Sequence, residues 1–361
     1  MTRRENEILQ WIQENPLISQ YELADKANIT RSSVAVHISN LIKKGKILGK
    51  GYIISHDEYV TVIGGTNIDV AGIPTNNLIE NDSNPGIVKF SIGGVGRNIA
   101  ENISRLGIEV GFITALGNDM YGREIQKNCK ERGIEISNSW IDSSLPTSTY
   151  LFVLNEKKDM QLAISDMAIC DKITPAFIAE KIEFIKKSSL CVIDTNLLKE
   201  TIEYILSNLE IPVFVDCVST TKAVKIKEYL DKIHTIKCNK MEAETLSDMK
   251  ITDEKSLKES AQYFLNKGVK QIFISLGEDG VFYANENEMG KVSAIKTKVL
   301  NATGAGDSFM GAIVYSYINE EEIRESAING VAAATITIQS EKTVSDMLNV
   351  ENIKKLREEY R

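Results

Sequence analysis

The seven residues Asn301-Ala302-Thr303-Gly304-Ala305-Gly306-Asp307 combine small side chains with one acid at the start of an apolar run. Val299-Leu300 reads as the end of a strand, and Phe309, Ile313 and Val314 continue a long helix. Small residues let a backbone approach a ligand closely, and the unpaired N–H groups of a helix start attract anions. The donors at Gly304, Ala305 and Gly306 could neutralise charge growing on a transferred γ-phosphoryl group, each worth ~3 kcal/mol of transition-state stabilisation. Asp307, in the first turn, could accept a proton from a substrate hydroxyl. The same residues also make an ordinary glycine-rich helix start whose aspartate complements the dipole. Taken alone, they leave both readings open.

Such a site needs a frame, and from Tyr59 onward the chain supplies one. Val60–Ile63, Val110–Thr114, Leu190–Ile193, Val213–Val215, Ile233–Ile236 and Gln271–Ser275 read as strands. Helical patterns near 97–106, 121–132, 175–186, 199–208, 222–231 and 256–267 alternate with them, and the chain after Ala305 reads almost wholly helical. That alternation predicts an α/β fold, a parallel sheet with helices on both faces. Residues 72–92 and 148–164 interrupt the rhythm and read as strands outside the main sheet.

Residues 1–55 have a different texture. Ile8, Leu9, Trp11 and Ile12 share helical spacing up to Asn15-Pro16, Ser19 and Glu22 fit a capping box, and Thr30 caps a third helix from Arg31 to Lys44. Gly45 to Ile54 reads as a small hairpin. Three helices and a hairpin resemble a winged helix-turn-helix, with Arg31, Ser32, Ser33 and His37 as the outward residues of the DNA-reading helix. A small helical module for dimerisation or regulation fits the same pattern.

The charge divides at the same place. The chain of 361 residues carries a net -8, but residues 1–55 hold eight Lys/Arg against five Asp/Glu. The net charge makes the whole molecule a poor candidate for non-specific nucleic-acid binding, while the basic first segment on an acidic body points to two modules with different partners. The five cysteines form no CxxC pair and read as buried free thiols of a reduced compartment. No apolar run approaches the ~20 residues of a membrane helix, so a cytoplasmic protein with no membrane partner is expected. P-loop, dinucleotide and protein-kinase signatures are absent.

Thr303-Gly304-Ala305-Gly306-Asp307 resembles the signature of the ribokinase-like (PfkB) carbohydrate kinases, and further matches follow in the right order from Tyr59 to near the C-terminus. Gly64-Gly65-Thr66-Asn67-Ile68-Asp69 resembles the family's sugar-binding GxxNxD, and Gly93-Gly94-Val95-Gly96-Arg97-Asn98 its second signature. Asn239-Lys240-Met241-Glu242 fits its NxxE, and Ser275 to Gly280 its strand end beside the nucleotide. The resemblance implies a ribokinase-like core over residues 59–361 with a β-lid from 72–92 and 148–164. It implies ATP and Mg²⁺, with Asp307 as base and Gly304, Ala305 and Gly306 as the anion cradle. Asn67, Asp69, Gly93, Gly94 and Asn98 would hold the sugar. Asn239, Gly277, Gly280, Thr303, Gly304 and Gly306 would line the nucleotide, and Glu242 would organise the metal. A K⁺ ion beside Asn301–Thr303 is also implied, although many relatives carry aspartate where this chain has Asn301.

Within that family the chain resembles the pseudouridine kinases, through Asp82 to Phe90, Gly93 to Ala100, Ile164 to Met167, Val213 to Thr220 and Ile233 to Asn239. Cys217 and Cys238 stand where proline is expected. The resemblance implies 5′-phosphorylation of pseudouridine, with Asn84, Lys89 and Asp166 as the candidates for its base and Ser83 as a further polar lid residue. Asp216, Ser219, Asp194 and Asn196 form a weaker tier at strand ends, and His234 reads as structural. Another sugar or nucleoside kinase, or a nucleoside-responsive regulator binding operator DNA through residues 1–55, would share these features. A homodimer completes the expectation.

Overall fold

The computed structural model describes residues 1–15, 18–44, 46–49, 53–54, 59–155 and 159–360. The chain divides into two compact units, Met1–Glu58 and Tyr59–Arg361. In the first, helices Arg3–Glu14, Gln20–Ala27 and Arg31–Lys43 surround a core of Ile8, Ile12, Leu23, Val34 and Leu41. The Ser19–Glu22 capping box is present, Thr30 caps the third helix, and a second box joins Thr2 to Glu5. Ile47–Gly49 pairs with Ile53–Ile54. Pro16, Gly45 and the hairpin residues 50–52 lie outside the described residues, as do residues 55–58 at the expected boundary.

The second unit is built on a nine-stranded sheet. Its order is Met289–Val292, Val281–Asn285, Gln271–Ser275, Thr235–Asn239, Val213–Asp216, Leu190–Asp194, Tyr59–Ile63, Glu109–Ile113 and Ile134–Glu135. All neighbours are parallel except the first two pairings, which are antiparallel. The parallel strands are apolar in runs because both faces are covered. Ile63, Ile193 and Val215 face one core, under Pro175–Ile185, Lys199–Asn208, Lys240–Ser247 and Glu254–Asn266. Val62, Val192 and Phe214 face the other, under Val95–Arg105, Met120–Glu131, Ala305–Ile318 and Ile323–Ile338. All five cysteines are buried free thiols.

Three expectations need correcting. The helix expected over 222–231 is a short helix, Thr220–Ala223, followed by two separate 3₁₀ turns. The strand expected at Ile233–Ile236 is Thr235–Asn239, because the second of those turns, Leu230–Lys232, occupies the chain up to Ile233. The C-terminal helices are interrupted between Ile338 and Val350 by turns that pack on the glycine-rich loop.

The segments read as lid strands pair in one four-stranded sheet, ordered Met160–Asp166, Thr149–Leu154, Asn67–Pro74 and Gly86–Gly93; residues 156–158 lie outside the described residues. This sheet starts at Asn67, five residues before the lid was expected. The GxxNxD-like motif therefore bridges core and lid.

Candidate active site

The helix Ala305–Ile318 starts from Gly304, whose φ of +86° is one that glycine adopts freely. A side chain there would also collide with Thr343, since a Cβ would lie 2.0 Å from its carbonyl oxygen. Gly306 is approached from the sheet: a Cβ would lie 2.5 Å from Lys237 Nζ. The first N–H groups of a long buried helix thus share their space with an ammonium group.

Asp307 is in the first turn of that helix and is only 8% exposed. Its Oδ2 accepts a 2.8 Å hydrogen bond from Asn98 Nδ2, which projects from helix Val95–Arg105. Burial, reinforced by the Asp216 carboxylate, raises the Asp307 carboxyl to about 7, against the pull of Lys237 and Asn98. Lys237 Nζ bonds Asp216 Oδ2 at 2.9 Å. Burial would lower the lysine's pKa, yet Asp216, Asp307 and Glu242 hold it well above its usual range. Asp216 in turn accepts from the Val218 N–H. Val218 is a β-branched residue at φ +58°, an outlier of the kind that clusters at functional sites.

On the lid side, Asn67 Nδ2 donates to Asp69 Oδ1 at 2.7 Å, and Asn67 pairs in register with Gly93. Burial raises the Asp69 carboxyl, and the Asn67 bond partly offsets this. Gly94 then caps the helix that carries Asn98. A continuous path therefore runs from Asp69 through Gly93 and Gly94 to Asn98 and Asp307.

The pleat sorts the lid candidates. Asp69 pairs with Ser91 and Tyr150, and Ala71 with Lys89 and Phe152, so these side chains share one face. Lys89 is exposed on that face, and the rings of Tyr150 and Phe152 are 5.7 Å apart. Asp166 pairs with Thr149, which pairs with Ile68, so alternation puts Asp166 on the opposite face from Asp69. The expectation for Asp166 is corrected accordingly. Asn84 is also revised. Its amide accepts from Ile79 N–H and donates to the carbonyls of Ile79 and Asp82, so it closes the loop between two lid strands. Ser83 belongs to the same loop, its N–H donating to Asp82.

On the nucleotide side, Asn239, Met241, Leu257, Ser275 and Gly277 line a groove of about 470 Å³. Gly280 is buried and accepts from Leu276 N–H, which makes it a turn residue between two strands. Thr303 is exposed, its N–H bonded to Asn301 Oδ1. Asn239 and Glu242 form a reciprocal capping box on helix Lys240–Ser247. Glu242 is buried, and its carboxyl is raised by burial despite that bond. Among the described residues no three His, Cys, Asp or Glu form a metal-binding group. The donors present fit a Mg²⁺ ion that keeps water and phosphate ligands better than one held in a protein cage, and the Glu242 carboxylate would be the group to anchor that shell. The loop fits K⁺ poorly, because Asn301 Nδ2 donates onto the Glu341 carbonyl and brings no charge.

The weaker candidates make local contacts at the strand ends. Asp194 accepts the backbone N–H groups of Gly65 and Asn196 and so pins the Gly64-Gly65 turn, while Lys222 holds Asn196. Ser219 Oγ lies 3.2 Å from Thr221 Oγ1. His234 stacks on Phe214, and burial pushes it down to about 4, as a structural histidine. Sequence reasoning missed Lys237 and the lid aromatics. Lys237 was visible two residues before Asn239, but only the sheet register shows that it faces Asp216.

In the first unit, Arg31 is exposed, its guanidinium 4.8 Å from the Tyr21 ring centroid and bonded to Tyr21 Oη. Ser32 and Ser33 both lie 2.9 Å from Thr30 Oγ1, at the helix cap. His37 is half-buried, and its Nδ1 has no partner among the described residues. No helix among the described residues is long and apolar enough to cross a membrane.

Comparison with known proteins agrees with both units. The model of winged helix-turn-helix DNA-binding domains matches residues 1–47. The uncharacterised sugar kinase YeiI of Escherichia coli is 36% identical over 98% of both chains. Pseudouridine kinase of the same organism is 37% identical over 82% of this chain and 95% of its own. A crystal structure of a possible sugar kinase from Clostridium perfringens superposes with a TM-score of 0.77 at 36% identity, covering 84% of this chain and 96% of that one. The model of the pfkB family of carbohydrate kinases matches residues 57–349. The chain belongs to that family: it is a ribokinase-like sugar or nucleoside kinase, a phosphotransferase with an alcohol acceptor, carrying an N-terminal winged helix-turn-helix domain.

Proposed function

We propose that this protein transfers the γ-phosphoryl group of ATP to the 5′-hydroxyl of pseudouridine. The observation that carries the chemistry is Asp307, buried beside an anion cradle and held by Asn98. A carboxyl near 7 is matched to taking a proton at neutral pH. Asp69, with Asn67 and Asn98, accepts and orients the ribose hydroxyls. Asp307 removes the 5′-hydroxyl proton as that oxygen bonds to the γ-phosphorus and the bond to the ADP oxygen breaks. The N–H groups of Gly304–Gly306 and the Lys237 ammonium take up the equatorial charge. Mg²⁺, anchored through Glu242, neutralises phosphate charge when bound. Adenine occupies the groove between Asn239 and Gly277.

The likeness to pseudouridine kinase supports the substrate, as does a lid face with Lys89 and two aromatic rings beside Asp69. A coupled ADP-release assay across pseudouridine, uridine, adenosine, ribose and fructose tests it. Pseudouridine is expected to give the highest kcat/KM, and clear preference for ribose or fructose sinks the substrate assignment.

A second role accompanies the first. The winged-helix unit with its exposed Arg31 supports operator binding, governed by the nucleoside that the kinase body takes. A mobility shift on the protein's own upstream DNA, with and without pseudouridine, tests this role, and absence of binding at moderate salt rejects it.

A further inference from the structure

Arg97 precedes Asn98 in helix Val95–Arg105 and is only 5% exposed. A guanidinium that deep needs partners for its donors: both Nη groups have them, while Nε has none among the described residues. Nη2 donates to Glu101 and, at 2.7 Å, to Asn128 Oδ1. Glu101 is held in turn by Arg105 at 2.8 Å and by Arg132 at 3.3 Å, and Arg105 reaches Asp346. This network clamps the guanidinium from one side. From the other, Nη1 donates to Asn98 Oδ1 at 3.2 Å.

A carboxamide has an acceptor end and a donor end. With Oδ1 held by Arg97, Nδ2 is directed the other way, onto Asp307 Oδ2. Flipping the amide would set its oxygen against the Asp307 carboxylate and its NH₂ group against the guanidinium, so both contacts would become repulsive. We propose that Arg97 is a positioning residue that locks the Asn98 amide with its donor on Asp307. The proposal rests on Asp307 being the base and adds the residue that orients the base's partner.

Asp307 faces the Asp216 and Asp194 carboxylates and the Lys237 ammonium, with Asn98 as its hydrogen-bond donor. Arg97 faces Glu101, Arg105, Arg132 and the Cys129 thiol. Freeing the amide removes a donor that favours the Asp307 carboxylate, so its proton is held more tightly. The test is a ¹³C NMR titration of the Asp307 carboxyl in the full-length protein without substrates, with Asp307→Asn to assign the signal. Arg97→Met should move the midpoint up by about one unit, the scale of a weakened charge-assisted hydrogen bond. The charge-neutral double variant Arg97→Met/Glu101→Gln should shift it as far, whereas Glu101→Gln alone should not raise it. The acid limb of the rate profile should move with it, so that turnover lost at pH 6 is largely regained at high pH.

A double variant that titrates at the wild-type midpoint, or Glu101→Gln raising it equally, overturns the proposal. So does a loss of turnover that is equal at every pH. Failure of the base assignment is separate: Asp307→Asn would then keep its turnover, while the titration would still report on Arg97.

Discussion

Lys237 Nζ and Asp216 Oδ2 lie 2.9 Å apart on neighbouring strands, with side-chain exposures of 12% and 3%. A buried pair is costly to break on one side, typically by about 3–5 kcal/mol, because the remaining charge is left uncompensated. Lys237→Met should therefore both destabilise the protein and depress turnover. Lys237→Met/Asp216→Asn removes both charges and should recover most of the stability, read by urea unfolding, but not the turnover. If the double variant regains wild-type kcat, Lys237 has no part in phosphoryl transfer.

Asp307→Asn leaves an amide of the same shape that cannot take a proton. Turnover should fall by at least ~100-fold, the scale of a lost general base, with ATP affinity by calorimetry retained. The wild-type rate should rise with pH through about 7, as the buried carboxyl ionises. Near-normal turnover in the variant removes Asp307 from the mechanism.

The same carboxyl links stability to pH. Its ordinary value of 3.8 is raised to about 7 on folding, so between these values the folded state binds the extra proton. Stability attributable to Asp307 is therefore fully present below about pH 4 and lost as pH rises through 7. Asp307→Asn escapes that loss. Its urea midpoint should exceed the wild type's at pH 8 and approach it near pH 4; a constant offset across that range contradicts the raised carboxyl.

These consequences show where sequence reading stops. The parallel strands were legible because burial on both faces leaves apolar runs such as Tyr59–Ile63 and Val213–Asp216. The Ser19–Glu22 box was legible because capping is local. Residues 222–231 misled because their helical spacing did not reveal the break between Thr220–Ala223 and the turn at Leu230–Lys232. The Asp307–Asn98 bond spans 209 residues and the Lys237–Asp216 pair 21, so both depend on topology that local pattern cannot carry. Asn84 and Asp166 have suitable chemistry, but a loop bond and the pleat of the sheet decide where that chemistry goes.

The lid should set specificity through the face it shares with Asp69. Tyr150→Ala and Phe152→Ala each remove a ring from that face, and base–aromatic stacking is worth about 1–3 kcal/mol. Each variant should lower kcat/KM for pseudouridine by roughly 10-fold, while ribose, which has no aromatic base to stack, changes little. Lys89→Ala should act in the same direction. Asp166→Ala, on the other face, should discriminate no more than wild type. Equal losses for both substrates would mean that these residues support the lid and not the base.

Arg31 offers the most direct check on the winged-helix unit. Its guanidinium is stacked on Tyr21 and bonded to the phenol oxygen, which limits its freedom before any DNA arrives. If the third helix enters the major groove, a preordered arginine at its start would meet a phosphate or a guanine edge. Arg31→Ala should weaken binding to the upstream DNA by at least about 10-fold, near the lower end of the ~1–3 kcal/mol that a single arginine contact is worth. Tyr21→Phe keeps the stack and loses the bond, and should cost less. Affinity should also drop steeply between about 50 and 200 mM salt. Arg31 belongs to the unit Met1–Glu58, so the kinase activity of Arg31→Ala should match the wild type's. Loss of DNA binding with turnover intact would separate the two functions in one chain. Unchanged DNA affinity in Arg31→Ala would take the third helix out of the interface.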